Sequence, residues 1–168
     1  RRRGFSVLFL REPGGTKAGE LLRSFLLSSK DHRLHPFCET LLYEAARSEL
    51  VATKIRPALA RGMIVLCDRF QDATLAYQGY GSGVSHAWIE TVGAWATGGL
   101  KPDLTIWLDL EVRKGLQRSG RKDRIERRPV PFHERVLRGY RAIWKRDPRR
   151  VLRIVVGDLA NNHRVIRQ

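Results

Sequence analysis

The sequence predicts a single α/β domain built on a mostly parallel sheet with helices on both faces. Three observations carry that prediction. Short apolar runs alternate with longer amphipathic stretches along the whole chain, the mark of strands and helices in turn. Three of the four short runs are almost continuously apolar, as expected of strands covered on both sides. No repeat, low-complexity tract or linker divides the 168 residues, a length that suits one domain, 1–168, with its own core.

The expected strands are 6–10 (SVLFL), 63–67 (MIVLC), 104–108 (LTIWL) and 152–156 (LRIVV). Helices are expected over 18–27, 37–55, 72–79, 86–97, 112–119 and 131–145. Pro57 is expected to close the second helix, and Gly62 to turn the chain into the next strand. Asp68 and Asp109 follow directly on their strands, at the end of an open sheet where ligand chemistry concentrates.

Composition excludes several classes. Apolar residues make up 42% and charged residues 29% of the chain, and no run approaches the roughly 18–20 apolar residues that span a bilayer. Phe5 to Leu10 is too short for the apolar core of a secretion signal. Cys38 and Cys67 are too few for a disulfide framework or a metal cluster, so a reducing, cytoplasmic setting is expected. The net charge of +15 is unevenly placed: residues 1–110 carry 14 Lys and Arg against 11 Asp and Glu, whereas 111–168 carry 18 against 6. Such a field suits either a polyanion bound without sequence preference or a small substrate carrying several phosphates.

Four segments could carry chemistry. Arg11-Glu12-Pro13-Gly14-Gly15-Thr16 ends the first strand, putting a guanidinium at the strand tip and a turn whose backbone can approach a ligand. Tyr43 and Arg47 stand four apart on a helix and so share a face, an aromatic plate beside a donor for a base carbonyl. Asp68-Arg69-Phe70 follows the second strand; the Asp could order water around Mg²⁺ and the Arg could hold a phosphate. Thr74, Tyr77 and Gln78 come directly after. Finally, Arg118, Arg121, Lys122, Asp123, Arg124, Glu126, Arg127 and Arg128 crowd one short stretch, a charge density fitted to phosphoryl transfer. Each segment also has a plainer reading, as a turn, a core aromatic, a structural ion pair or a solvated basic loop.

Their order is more specific than any one of them. REPGGT, LLYEAAR, DRF, TLAYQG, PDLTIWLDL and RKDRIE, in that sequence, resemble bacterial thymidylate kinases along nearly the whole chain. The resemblance implies a P-loop nucleoside monophosphate kinase fold and transfer of the ATP γ-phosphoryl group to dTMP, giving dTDP, with Mg²⁺. It implies that Arg11 and Arg69 hold the dTMP phosphate, that Tyr43 stacks on thymine where the family usually has Phe, and that Arg47 reads a thymine carbonyl. It places Tyr77 where a ribose 2′-hydroxyl would clash, with Thr74 and Gln78 beside it. Arg118, Arg121 and Arg124 fall in a lid of about 118–129 that closes over ATP, Asp68 is the catalytic and water-mediated metal-binding carboxylate, and a homodimer is expected, with helix 37–55 in the contact. Ala73 replaces the family's common Ser.

The family pattern opens with a strand, a G-x-x-x-x-G-K-[ST] loop and a helix; here the strand leading to REPGGT comes first, and no such loop occurs in the 168 residues. The chain alone is therefore expected to lack kinase activity, and its sheet to show either a gap of about two strand spacings between 63–67 and 104–108 or a direct pairing of those two strands. A non-catalytic nucleotide-binding remnant and a basic nucleic-acid-binding module are the alternative readings; the basic stretch lacks the aromatic interleaving that single-strand binding uses.

Overall fold

The computed structural model describes residues 4–28, 34–118 and 123–157. Its strands are β1 (Val7–Arg11), β2 (Ile64–Asp68), β3 (Thr105–Asp109) and β4 (Val151–Val155), each within one residue of expectation. β1 pairs in parallel with β2, Arg11 opposite Asp68, and β3 pairs in parallel with β4. These are two separate two-stranded sheets. Among the described residues β2 and β3 do not pair with each other.

Seven α-helices connect the strands among the described residues: α1 (Lys17–Leu27), α2 (Pro36–Leu50), α3 (Arg56–Ala60), α4 (Gln71–Thr74), α5 (His86–Thr97), α6 (Val112–Arg118) and α7 (Val130–Arg146). Local chemistry sets their ends. Thr16 caps α1 by accepting from the Gly19 N–H at 2.9 Å, while Glu20 reaches back to the Gly15 N–H at 2.8 Å. Ser85 opens α5 and Gly98 closes it in the left-handed conformation.

Pro57 does not close the second helix. The chain passes from α2 through a π turn, Val51–Ile55, into α3, with the Arg56 N–H bonded to the Val51 carbonyl. Pro57 has no N–H to donate, and the wider i→i+5 ladder directly before it lets the helix run on. A second π turn, Leu75–Gly81, follows α4 and carries Tyr77 and Gln78.

Each sheet has its own core. Leu50, Val51 and Ile55 pack with Leu10, Val65, Cys67 and Phe70 beside β1 and β2. The larger core joins Leu75, Ala76, Val84 and Ile89 to Trp107, Ile125, Phe132, Val136, Ile143 and Val151. α7 lies directly on the second π turn, and glycine permits that approach: a Cβ on Gly139 would stand 2.9 Å from the Cβ of Tyr80. The expectation of strands covered on both faces fails within the described residues. Phe9, Ile64, Leu66, Ile106 and Leu108 remain exposed, because their strands alternate inward and outward and only the inward side chains meet helices of this chain.

Candidate active site

β1 and β2 end side by side, so Arg11 and Asp68 are register partners and Arg69 is the next residue along. Arg11 is exposed and makes only a 3.4 Å contact with Glu20. Arg69 has a φ of +71°, a left-handed conformation that non-glycine residues seldom adopt and that tends to mark functional positions. The bend carries its guanidinium over the ring of Tyr77, 5.1 Å from the centroid. Two exposed arginines thus leave neighbouring strand tips at the same end of the sheet.

Tyr43 faces this region from α2. Burial, followed by the Glu39 carboxylate, pushes its hydroxyl up to about 12, against the pull of Arg69 and Arg124. The hydroxyl therefore stays neutral near pH 7. Gln78 is buried and donates its amide to Glu39 at 3.0 Å. Tyr77 leans towards Tyr140 and Phe132 of α7. Arg11 and Arg69 thus stand at the ends of paired strands, Arg69 lies over Tyr77, and Gln78 is tied to α2 through Glu39.

Arg47 is 2% exposed and enclosed by protein partners. Its Nε donates to Glu12 at 2.8 Å, Nη1 to Gln71 at 2.6 Å and Nη2 to Thr74 at 2.9 Å; Nη2 also pairs with Glu12 at 2.7 Å and Nη1 with Glu44 at 2.8 Å. Three of these are hydrogen bonds, and the contact with Glu44 is an ion pair without one. Its face lies 5.2 Å from the ring centroid of Phe70. Burial works against its charge, and Glu12 and Glu44 more than offset that. The carboxyl of Glu12 is pushed up, since burial outweighs the pull of Arg47. Thr74 is committed to this strut as well, which ties the turn after β1 to α2 and α4.

Arg124 also has protein partners. It donates to Glu39 at 2.6 Å and to the Leu26 carbonyl at 2.8 Å, so the 123–129 segment is docked against α1 and α2. Arg118 ends α6, but its side chain lies outside the described residues, as does Arg121. Sequence reasoning assigned no role to Glu12, Glu39 or Gln71, which hold Arg47, Gln78 and Arg124 in place. Glu39 stands one turn before Tyr43 on the same face, which was the one signal available for it.

A metal would find limited protein support here. Among the described residues no three His, Cys, Asp or Glu side chains form a cluster suited to a metal ion. Mg²⁺ held chiefly by water and phosphate oxygens asks the protein for one or two carboxylates, and Asp68 at the tip of β2 can supply one.

The family model described as thymidylate kinase matches residues 1–166. The chain is 49% identical over 156 residues to a thymidylate kinase of Synechococcus sp. (strain JA-3-3Ab), covering 93% of this chain and 76% of that protein. It is 50% identical over 148 residues to one from Desulforudis audaxviator (strain MP104C), covering 87% and 67%. The crystal structure of thymidylate kinase from Ehrlichia chaffeensis superposes with a TM-score of 0.78 at 31% identity, covering 96% of this chain and 79% of that one. The fold is that of a P-loop nucleoside monophosphate kinase. Within that class, the chain belongs to the thymidylate kinase family.

Proposed function

We propose that this chain forms the acceptor side of a dTMP kinase, binding dTMP for phosphorylation to dTDP. The observation that carries the reading is the meeting of Arg11 and Arg69 at adjacent strand tips with Tyr43, Tyr77 and Gln78 around them. The arginines take the 5′-phosphate, Tyr43 stacks on thymine, and Tyr77 closes the space beside the sugar. A phosphate oxygen of dTMP attacks the γ-phosphorus of ATP, the bond to the β–γ bridging oxygen breaks, and ADP leaves. Asp68 would hold Mg²⁺ through water, and the ion would supply screening of the phosphate charges. Arg118 and Arg121 are the arginines proposed for the transferring phosphoryl group. Arg124, tied to Glu39, serves to seat the segment that bears them.

The activity proposed for these 168 residues is dTMP capture. A homodimer with α2 in its contact and a cytoplasmic location complete the reading. No helix among the described residues is long and apolar enough to cross a membrane. The basic C-terminal third supports phosphate chemistry better than nucleic-acid binding, because many of its arginines are used by the fold. Arg146 pairs with Glu90, Arg150 with Asp72 and Arg153 with Asp109, while Arg135 donates to the Gly81 carbonyl.

Calorimetric titration with dTMP tests the reading. Tyr43→Ala should weaken binding by roughly 1–3 kcal/mol, the scale of base–aromatic stacking. Unchanged affinity would remove Tyr43 from the thymine site.

A further inference from the structure

Glu39 has no exposed surface, yet its carboxylate is the meeting point of three elements. Oε2 accepts from Nη2 of Arg124 at 2.6 Å and from Nη2 of Arg128 at 2.7 Å, and Oε1 accepts from Nε2 of Gln78 at 3.0 Å. Each arm is anchored again at its far side. Arg124 Nε holds the Leu26 carbonyl at the end of α1. Arg128 donates to Ser82 at 2.8 Å and stacks 4.5 Å over Phe132. Between them the Asp123 carboxylate caps the Ile125 and Glu126 N–H groups, both at 2.8 Å, and Ile125 enters the larger core. One buried carboxylate therefore roots the arginine segment and also fixes Gln78, a residue of the acceptor pocket, one helical turn from Tyr43.

We propose that Glu39 is a positioning residue that transmits occupancy of the acceptor pocket to the arginine segment 123–129. The proposal rests on the dTMP reading above. Both arginines now share Oε2, while Oε1 is occupied by the Gln78 amide. A base that draws this amide towards itself frees Oε1, and Arg124 and Arg128 can then divide the two oxygens between them. Charge-assisted bonds of that kind exceed a neutral amide bond in strength, so the segment should tighten when the base arrives. The surplus positive charge, two guanidiniums on one carboxylate, also sits beside the pocket that takes an anionic substrate.

The test is amide hydrogen exchange of the full chain with and without saturating dTMP, together with dTMP calorimetry. In the parent chain dTMP should slow exchange over 124–128 by about fivefold or more, the lower end of typical two-site coupling. Glu39→Gln keeps the size and one acceptor oxygen but loses the charge that holds two arginines. It should abolish that dTMP-dependent slowing and raise the dTMP dissociation constant about tenfold, with exchange over 105–109 and 151–155 unchanged. Protection that survives in Glu39→Gln would mean that dTMP reaches the segment without Glu39, and overturns the proposal. Binding with no change over 124–128 in the parent overturns it too, while leaving the dTMP reading intact; no binding at all overturns both. Should Glu39→Gln not fold, Arg128→Gln decides, since it removes one arm and leaves Glu39 paired with Arg124: protection should fall, and protection equal to the parent's refutes the proposal.

Discussion

Replacing Arg47 by Met removes a guanidinium that two buried carboxylates depend on. Arg47, Glu12 and Glu44 are each 5% exposed or less, so no water replaces the lost partner. Even with Arg47 present, Glu12 Oε1 and both oxygens of Glu44 are buried without a hydrogen bond. Breaking one buried ion pair from a single side costs about 3–5 kcal/mol, and here one change strips two carboxylates together with Gln71 and Thr74. The loss should therefore lie at the top of that range, lowering the melting midpoint of a domain this size by about 10–20 °C at 2–4 °C per kcal/mol. The pH dependence fixes the sign. Glu12 already has a folded-state pKa above its ordinary value, so its ionisation opposes folding as pH rises through that folded pKa. Without Arg47 the Glu12 shift grows, and protonating Glu12 relieves the strain on the folded state. The deficit of Arg47→Met relative to the parent should be largest near pH 7.5 and shrink as pH falls towards the raised carboxylate pKa. Urea titrations of both chains at pH 7.5 and 5.5 measure it. A deficit under about 1 kcal/mol, or one that widens on acidification, would refute the buried strut.

Three further outcomes follow from particular contacts. Replacing Tyr77 by a smaller residue should raise binding of the ribonucleotide relative to dTMP in competition, and an unchanged ratio removes Tyr77 from sugar selection. Gly139→Ala sets a methyl against the Cβ of Tyr80, which no rotamer change can move; it should cost about 1–3 kcal/mol in a urea titration, and a neutral result would mean that α7 is free to shift. Cys38 is exposed, whereas burial, followed by Glu12, pushes the half-buried Cys67 thiol up to about 12. Iodoacetamide at pH 7.5 should therefore alkylate Cys38 alone by peptide mass analysis, since the thiolate is the nucleophile; comparable labelling of Cys67 would contradict its burial.

Elements written in local chemistry were legible. Helix 86–97 has its cap in Ser85 and its stop in Gly98, both adjacent in sequence. The strands showed as apolar runs, and Arg11, Asp68 and Arg69 follow from their ends. Features that depend on distant partners were not. Tyr43 and Arg47 share a helix, but the packing of Glu12, Glu44, Gln71 and Thr74 around Arg47 is not recorded in that spacing. Glu39 meets arginines 85 and 89 residues away, a separation no local pattern records. The π turns were hidden for a different reason: a helix with one widened turn keeps its apolar spacing nearly intact, and Pro57 reads as a stop. Strand exposure was misjudged because a continuous apolar run says what a strand can bury, while the elements packed on it decide what it does bury.

The proposed function joins phosphate recognition at two strand tips to thymine recognition on α2. Isothermal titration of the 168-residue chain with dTMP, and in parallel with thymidine, measures that join directly. Saturable binding at one site, with dTMP favoured over thymidine by at least about tenfold for its charge-assisted contacts to Arg11 and Arg69, is the predicted result. Equal affinity for the two, or none for dTMP, would contradict it.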